Sequence, residues 1–427
     1  MAATTKLAVS FTAVAACAAA LSGCATGDRQ GTGPRNGALG PKEAAPGPAP
    51  APGNVMRLIG DGSTAFTGSQ PHLPRPERLK TGQKPPQFVV FSWDGAGEDS
   101  RKLFSHFRKV AKRNNATMTY FLSGVYMLPK EKRDLYRPPQ HSPGSSDIGF
   151  NDEQGIRDTV DQLRGAWLEG NEIGTHFNGH FCGKGGGGEW SVAEWKSEIA
   201  QAKSFVKFWK TNTGMRNAAP LPFDYDKELI GARTPCLEGQ KNFRRAAHDL
   251  GFRYDTSGVN DQIWPNKNNG LWDLSMQLVP FSGHKDEQLT MDYNFMADQS
   301  DAATQGDPDK QKLWGDEMRD SLLKGFDRAY NGNRAPLVIG NHFESWNGGT
   351  YMRAVDETIH AVCNKPEVRC VSFRRLADWL DAQDPQTLKR LTTLGVGEAP
   401  AQGWASFMST SPAPAPKGVP GAPAVKQ

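Results

Sequence analysis

The stretch QFVVFSWDG, residues 87–95, decides how the chain folds. It opens with a continuous apolar run, Phe88–Phe91, that lacks the alternation of a strand with one face in water. Such a run is typical of a parallel strand buried on both faces. A hydroxyl, an aromatic ring and a carboxylate follow at Ser92, Trp93 and Asp94. The stretch therefore predicts a central strand that delivers polar groups to one end of a sheet.

Outward from this strand, segments of strand and helix character alternate. Apolar residues recur at helical spacing, and Ser191 opens one helix with a capping-box pattern that includes Glu194. The predicted helices lie at 102–113, 159–167, 191–209, 243–250, 312–329, 352–362 and 376–380. The predicted strands lie at 87–92, 117–122, around 173, 229–232, 252–254, 336–340 and 370–373. Alternation of this length predicts an α/β fold with a parallel sheet, open or closed into a barrel.

Residues that can do chemistry follow several predicted strands directly. They are Asp94, His176, His180, Arg233, Asp255 and His342. Taken singly, each fits an ordinary role such as a helix cap, a surface ion pair, a turn or a buried histidine. In a parallel barrel, however, the carboxyl ends of all strands share one face. The common position of these residues therefore predicts a single pocket.

His176 and His180 form an H-x-x-x-H pattern after the predicted strand around Ile173. Two imidazoles at this spacing can converge on one divalent cation. The cation would supply Lewis acidity or an activated water. The pair alone also fits two histidines in a solvated loop, so its position beside the other strand-end residues is what favours a metal site.

At these residues the chain resembles the polysaccharide deacetylase family, the NodB-homology domain of carbohydrate esterase family four. The likeness covers roughly residues 85–383. The matching motifs are Phe91-Ser92-Trp93-Asp94 for the family's Thr-Phe-Asp-Asp, His176 with His180 for its His-x-x-x-His, Arg233 with Pro235 for its Arg-x-Pro, and the strand ending in His342. Segments 333–346 and 371–379 look most like insect-type chitin deacetylases.

The resemblance implies a distorted (β/α) barrel and metal-dependent removal of N-acetyl groups from an amino-sugar polymer, peptidoglycan or chitin-like. It implies a divalent metal, which we expect to be zinc, on His176 and His180. It also implies that His342 is the general acid and that Arg233 orients a carboxylate base. The expected substrate-contacting residues are Pro235, Asp255 and Trp346.

One position departs from the family pattern. The family has two adjacent aspartates, a base and then a metal ligand, whereas Asp94 is followed by Gly95. Matching Ser92 and Trp93 to Thr-Phe makes Asp94 the base, while a shift of one place makes Asp94 the ligand. If Asp94 is the base, the cation is held by two histidines and water, or Glu98 or Asp99 reaches in from the same loop.

The same departure leaves a second function open. Without the second aspartate, the protein could bind a glycan on this fold without cleaving it. Tryptophans near the motif loops would then stack on sugar rings. The candidates are Trp190, Trp264 and Trp346.

Both ends of the chain are expected to lie outside the folded domain at 85–383. Residues 1–23 form a signal peptide whose ending, before Cys24, resembles a bacterial lipobox; the alternative is cleavage at an Ala-x-Ala-like site nearby. Residues 24–84 form a tether and lead-in, and 384–427 a Pro/Ala-rich tail. We therefore expect an extracytoplasmic lipoprotein, anchored to the cell membrane through a lipid on Cys24.

Charge and cysteine content limit the remaining partners. The net charge of +4, from 50 basic and 46 acidic residues, is small, and no basic run interleaved with aromatics supports nucleic-acid binding. We expect a monomer whose partner is an N-acetylated polysaccharide. In an oxidising compartment Cys182 can pair with Cys236 and Cys363 with Cys370, although four cysteines allow three connectivities.

Overall fold

Residues 56–409 are described by the structure, a computed structural model. The predicted signal peptide, Cys24 with the lipid expected on it, residues 25–55 of the expected tether and residues 410–427 of the expected tail lie outside the described residues. Within 56–409, no helix has both the length and the apolar character that crossing a membrane requires.

The described residues contain 14 strands and 12 α-helices. The strands are β1 Arg57–Ile59, β2 Thr64–Phe66, β3 Gln87–Asp94, β4 Thr119–Leu122, β5 Glu172–Thr175, β6 Gly231–Ala232, β7 Tyr254–Asp255, β8 Val259–Asn260, β9 Lys267–Asn268, β10 Leu271–Asp273, β11 Met276–Pro280, β12 Glu287–Leu289, β13 Leu337–His342 and β14 Val368–Cys370. The helices are α1 Leu103–Arg113, α2 Glu153–Leu168, α3 Val192–Lys207, α4 Trp209–Thr213, α5 Tyr225–Glu228, α6 Gln240–Asp249, α7 Asp292–Ser300, α8 Gln311–Asn331, α9 Trp346–Cys363, α10 Phe373–Ala382, α11 Pro385–Leu391 and α12 Gly403–Ser409.

The main sheet is largely parallel and curls on itself. Its order is β13-β3-β4-β5-β6-β7-β10-β9, with β14 beside β3, and only the β10–β9 pair is antiparallel. A second sheet, β12-β11-β8, fills the gap on the open side. There the backbone N–H of Gly340 donates to the carbonyl of Thr290 at 2.9 Å. Such isolated bonds replace a full ladder, so the predicted distorted (β/α) barrel is confirmed.

The two-residue period of β3 explains both its apolar character and its polar end. Val89, Phe91 and Trp93 pack in the larger core, which includes the outer helices. Phe88 and Val90 pack in a second core, together with residues of the neighbouring strands. Because alternate side chains share a face, Ser92 and Asp94 continue the face of Phe88 and Val90. The strand therefore points a hydroxyl and a carboxylate toward the strand ends.

The predicted helices and strands are found with bounds that differ by a few residues. The helix predicted at 312–329 spans 311–331, and the Ser191 capping box is present, with Glu194 N–H donating to Ser191 Oγ at 3.2 Å. The segment 259–300, for which the sequence predicted no element, forms β8 to β12 and α7. Short strands and turns with irregular bonding carry little periodicity, which explains why the pattern missed them.

Ordered structure continues on both sides of the domain expected at 85–383. Residues 57–66 form the β1–β2 hairpin, and the backbone N–H of Ala65 donates to the carbonyl of Leu221 at 2.9 Å. Beyond residue 383, α11 and α12 bury Leu391 and Met408. The described parts of the expected lead-in and tail therefore pack on the barrel, because each retains large apolar side chains.

Trp93 packs in the larger core, and its replacement tests that packing. Its ring is fully buried and lies 4.8 Å from the ring of Phe107 and 5.6 Å from that of Phe343, centroid to centroid. We expect Trp93→Ala to lower the free energy of unfolding by about 3–5 kcal/mol, measured by urea denaturation, because it leaves a large cavity. Leu313→Ala, at a side chain with 55% exposure, should change it by less than about 0.5 kcal/mol. A loss at Trp93 as small as that at Leu313 would contradict this packing.

Candidate active site

A buried ion pair between Asp94 and Arg233 forms the base of the site. Nη1 of Arg233 donates to Oδ1 of Asp94 at 2.9 Å and lies 3.0 Å from Oγ of Ser92. Burial by itself would raise the pKa of Asp94, but the guanidinium and, secondarily, nearby imidazoles bring that pKa below its ordinary value. Asp94 is therefore an ionised carboxylate at neutral pH.

Arg233 is held by residues of β4, of the loop after β7 and of the start of α10. Its Nε donates to the carbonyl of Thr256 at 3.2 Å, and its Nη2 to the hydroxyl of the same residue at 3.0 Å. The guanidinium carbon lies 5.1 Å from the ring centre of Phe121 and 5.9 Å from that of Phe373. These contacts fix the plane of the guanidinium, and with it the carboxylate of Asp94.

His176 presents a free nitrogen to the same pocket. Its Nδ1 lies 2.8 Å from the carbonyl oxygen of Arg233, which can only accept, so Nδ1 carries the proton. Nε2 is buried and has no hydrogen-bond partner. Burial lowers the pKa of His176 to about 3, so the ring is neutral. A neutral imidazole fixed through Nδ1, with a bare Nε2, is the usual state of a histidine that binds a metal.

His180 lies beside His176 at the end of a tightly held loop. The two imidazole centroids are 5.1 Å apart, and the backbone of His180 has a φ of 58°. Behind the loop, Gly179 N–H donates to the Tyr136 hydroxyl at 3.1 Å, and that hydroxyl donates to Oε1 of Glu198 at 2.9 Å. Tyr136 lies in a long loop between β4 and α2, so one task of that loop is to support the histidines.

His342 is paired with a carboxylate that the sequence analysis did not single out. Its Nδ1 lies 2.8 Å from Oδ1 of Asp292, and its backbone N–H donates to Oδ2 at 2.7 Å. Burial alone would lower the pKa of His342, but the charge and the hydrogen bond of Asp292 raise it to about 9. His342 is therefore an imidazolium at neutral pH, opposite Asp94 in the β13–β3 register.

Two aromatic side chains flank His342. The Trp346 ring lies 5.4 Å and the Tyr293 ring 6.5 Å from the imidazole, centroid to centroid. Tyr293 is 43% exposed, so this wall is open to a ligand. Trp190 and Trp264, by contrast, are buried in the cores and cannot stack on a sugar.

The structure gives Asp255 a role other than the expected substrate contact. Its Oδ2 accepts from Nε of Arg244 at 2.6 Å, and its Oδ1 accepts from the backbone N–H of Ser257 at 2.9 Å. The residue is fully buried, so both oxygens are occupied in a turn and an ion pair. Pro235 is also buried and begins the short 3-10 turn at Pro235–Leu237, where it shapes the loop rather than presenting a polar group.

No carboxylate among the described residues replaces the one missing at residue 95. Gly95 has a φ of 65°, and a Cβ at this position would have Tyr126, at 3.7 Å, as its nearest neighbour. Glu98 and Asp99 point elsewhere, since Glu98 accepts from Ser105 N–H and Asp99 from Arg101. Within 56–409, one set of three side chains has metal-ligating atoms that all lie within 4.8 Å of each other. Its members are His180, Cys182 and Cys236.

These two cysteines are joined by one of the two disulfides in the described part of the chain. Cys182 pairs with Cys236, and Cys363 pairs with Cys370. The first bond ties the histidine loop to the turn after Arg233, and the second ties the end of α9 to the end of β14.

A divalent cation fits part of this site. The buried, partnerless Nε2 of His176 and the adjacent imidazole of His180 offer two nitrogen ligands of the kind that zinc takes. Asp94 lies close enough to both rings to influence their charge, yet its Oδ1 is already bound to Arg233. The chain thus offers two imidazole ligands and leaves the remaining coordination positions open.

Comparison with known proteins finds similarity to solved structures. No family model matches the chain, and no curated protein matches it. It is similar to a candidate polysaccharide deacetylase from Mycobacterium smegmatis, with 15% identity, 72% of this chain and 94% of that chain covered, and a TM-score of 0.45. It is also similar to a peptidoglycan deacetylase from Bacillus subtilis (12% identity, 69% and 92% covered, TM-score 0.35).

A further similar structure is a pseudoenzyme of carbohydrate esterase family four from Bacillus anthracis, with 10% identity, 71% of this chain and 70% of that chain covered, and a TM-score of 0.37. All three TM-scores lie below 0.5. The fold and the site therefore rest on the strand order and contacts of this chain.

The raised pKa of His342 has a direct test. We expect Asp292→Asn to lower that pKa from about 9, because the carboxylate that raises it most is removed while burial, which lowers it, remains. The readout is a pH titration of the imidazole resonances by NMR, with Asp298→Asn on the same helix as the control.

The same change affects stability with a defined sign. A histidine pKa raised in the folded state stabilises it fully below pH 6.5, and this contribution is lost as the pH rises through 9. The native protein should lose up to about 3 kcal/mol across this window, and Asp292→Asn should not. A His342 that titrates near 6.5 in both proteins would contradict the pairing.

Proposed function

We propose that this protein is a metal-dependent hydrolase that removes N-acetyl groups from an amino-sugar polymer. The observation that carries the proposal is the pairing of opposite protonation states across one pocket. Asp94 is held ionised by Arg233, and His342 is held protonated by Asp292. A carboxylate base opposite an imidazolium acid is what hydrolysis of an amide needs.

The residues divide the reaction between them. Asp94 takes a proton from the attacking water, and Arg233 keeps that carboxylate oriented and ionised. His342 gives its proton to the leaving amine, so that amide and water become acetate and a free amino group. His176 and His180 would hold the divalent cation, which we propose to be zinc. The chemistry that a bound cation supplies is Lewis acidity, which polarises the carbonyl and lowers the pKa of water.

The substrate proposal rests on the aromatic wall and on the chain's N-terminus. Trp346 and the half-exposed Tyr293 lie next to His342, and aromatic side chains at this position suit the apolar face of a sugar. The lipobox-like ending at Cys24, followed by a long Gly/Pro/Ala-rich tether, would place the domain outside the cytoplasm near the cell membrane. For this reason we propose peptidoglycan as the polymer in preference to chitin, despite the insect-type likeness of the later motifs.

A second function is favoured by one observation, the glycine at position 95. Because residue 95 is glycine, only two imidazoles would bind the cation, and it would bind weakly. The same pocket would then hold an N-acetylated glycan without cleaving it. This alternative predicts glycan binding that a chelator does not change and that is accompanied by no acetate release.

The proposed function is tested by His176→Ala. We expect this variant, supplied with zinc and soluble peptidoglycan fragments, to release acetate at least about 100-fold more slowly than the native chain, because it removes the ligand whose ring is fixed through Nδ1. Chelation of the native protein should give a similar loss that added zinc reverses. The surface variant His248→Ala should keep the native rate. An unchanged rate for His176→Ala would refute the proposal.

Gly95→Asp tests whether the missing carboxylate limits the metal site. A φ of 65° costs a residue with a Cβ about 1–2 kcal/mol, although aspartate and asparagine adopt it more readily than other residues, and the surrounding atoms leave normal contact distances. We expect Gly95→Asp to bind zinc at least about tenfold more tightly by calorimetry, since a carboxylate adds a third ligand. Gly95→Asn is the matched control, with the same shape and no charge. Equal affinities for the two variants would show that residue 95 does not face the cation.

A further inference from the structure

His180 belongs to a second group of possible ligands at the rim of the site. Its Nδ1 lies 3.7 Å from Sγ of Cys182, and the ligand atoms of His180, Cys182 and Cys236 all lie within 4.8 Å of each other. Both cysteines are exposed, so solvent and small molecules reach them. The three side chains offer one imidazole and two sulfurs. Ligands of this kind bind zinc well once the sulfurs are thiolates.

The backbone holds the two sulfurs in place from separate loops. Cys182 follows the histidine loop directly, whereas Cys236 lies in the turn after Arg233 and Pro235. Cys236 has a φ of 54° and Leu237 one of 55°, a conformation that side chains with a Cβ seldom adopt. Besides the disulfide, two backbone hydrogen bonds support this turn: Leu237 N–H donates to the carbonyl of Thr234 at 3.1 Å, and Glu238 N–H donates to that of Pro235 at 3.2 Å.

We propose that reduction of the Cys182–Cys236 disulfide creates a second metal site, in which both sulfurs and His180 bind a zinc-like cation. The proposal rests on the proposed function only in that the two sites share His180. While the disulfide is intact, its sulfurs carry no thiolate, and His180 is free to act with His176. After reduction, two thiolates at the rim compete for the same imidazole and the same ion.

The reduction balances with a dithiol as the reductant. The dithiol gives two electrons and two protons, the Cys182–Cys236 bond breaks into two thiols, and the dithiol becomes a cyclic disulfide. On binding the cation, the two thiols release their two protons to solvent. The consequence is a redox control over the position of the ion, with fast acetate release from the disulfide form and slower release from the reduced form.

Cobalt(II) is the probe, because a thiolate bound to it gives a charge-transfer band in the near ultraviolet that nitrogen and oxygen ligands do not give. The protein for the measurement carries Cys363→Ser and Cys370→Ser, so that only the disulfide of interest remains. It is reduced with a dithiol, freed of the dithiol by gel filtration without oxygen, and titrated with cobalt(II). Far-ultraviolet circular dichroism shows that the fold is retained.

We expect the band to saturate at one cobalt per reduced chain and to be absent from the disulfide form. Cys182→Ser with Cys236→Ser should abolish it, and His180→Ala should weaken cobalt binding at least tenfold. A folded, reduced chain without the band would overturn the proposal. So would a band of equal strength after both substitutions at 182 and 236.

Failure of this proposal can be told apart from failure of the proposed function. His176→Ala removes a residue of the hydrolytic site only, so its reduced form should keep the full cobalt band. If the disulfide form releases no acetate but the reduced chain shows the band, the hydrolase proposal fails and the rim site stands. If acetate release is normal and the band is missing, the rim site fails alone.

Discussion

The ion pair between Asp94 and Arg233 is the interaction on which the rest of the molecule depends. Both side chains are buried, and the removal of one partner from such a pair typically destabilises a protein by about 3–5 kcal/mol. The pair joins the end of β3 to the residue after β6, and the carbonyl of Arg233 in turn holds the imidazole of His176. One arginine thus sets the charge of the carboxylate with its side chain and the tautomer of a histidine with its backbone.

The periodicity of β3 and its register with β13 place Asp94 beside His342. Because β3 is buried on both faces, its even-numbered side chains pass from Phe88 and Val90 in one core to Ser92 and Asp94 at the site. Strand β13 runs parallel beside it and ends in register, with His342 next to Asp94. An acid and a base therefore meet because two neighbouring parallel strands end at the same level.

Much of this could be predicted from the sequence, and the failures have clear causes. The apolar run at 88–91, the capping box at Ser191 and the strand-end position of the polar residues follow from local patterns. Asp292 does not, because it pairs with His342 from 50 positions away, and no periodicity marks a helix start that supplies a partner to a distant strand. Asp255 shares its position with the others, but Arg244 from α6 takes its carboxylate, which strand order cannot reveal.

The central claim is that His176 and His180 hold the cation of a hydrolytic site in the disulfide form. The most direct test is anomalous X-ray scattering at the zinc absorption edge, from crystals of the oxidised protein grown with zinc. We predict one strong anomalous peak at bonding distance from Nε2 of His176 and from an imidazole nitrogen of His180. Zinc that occupies other positions while Nε2 of His176 stays without a metal neighbour would contradict the claim.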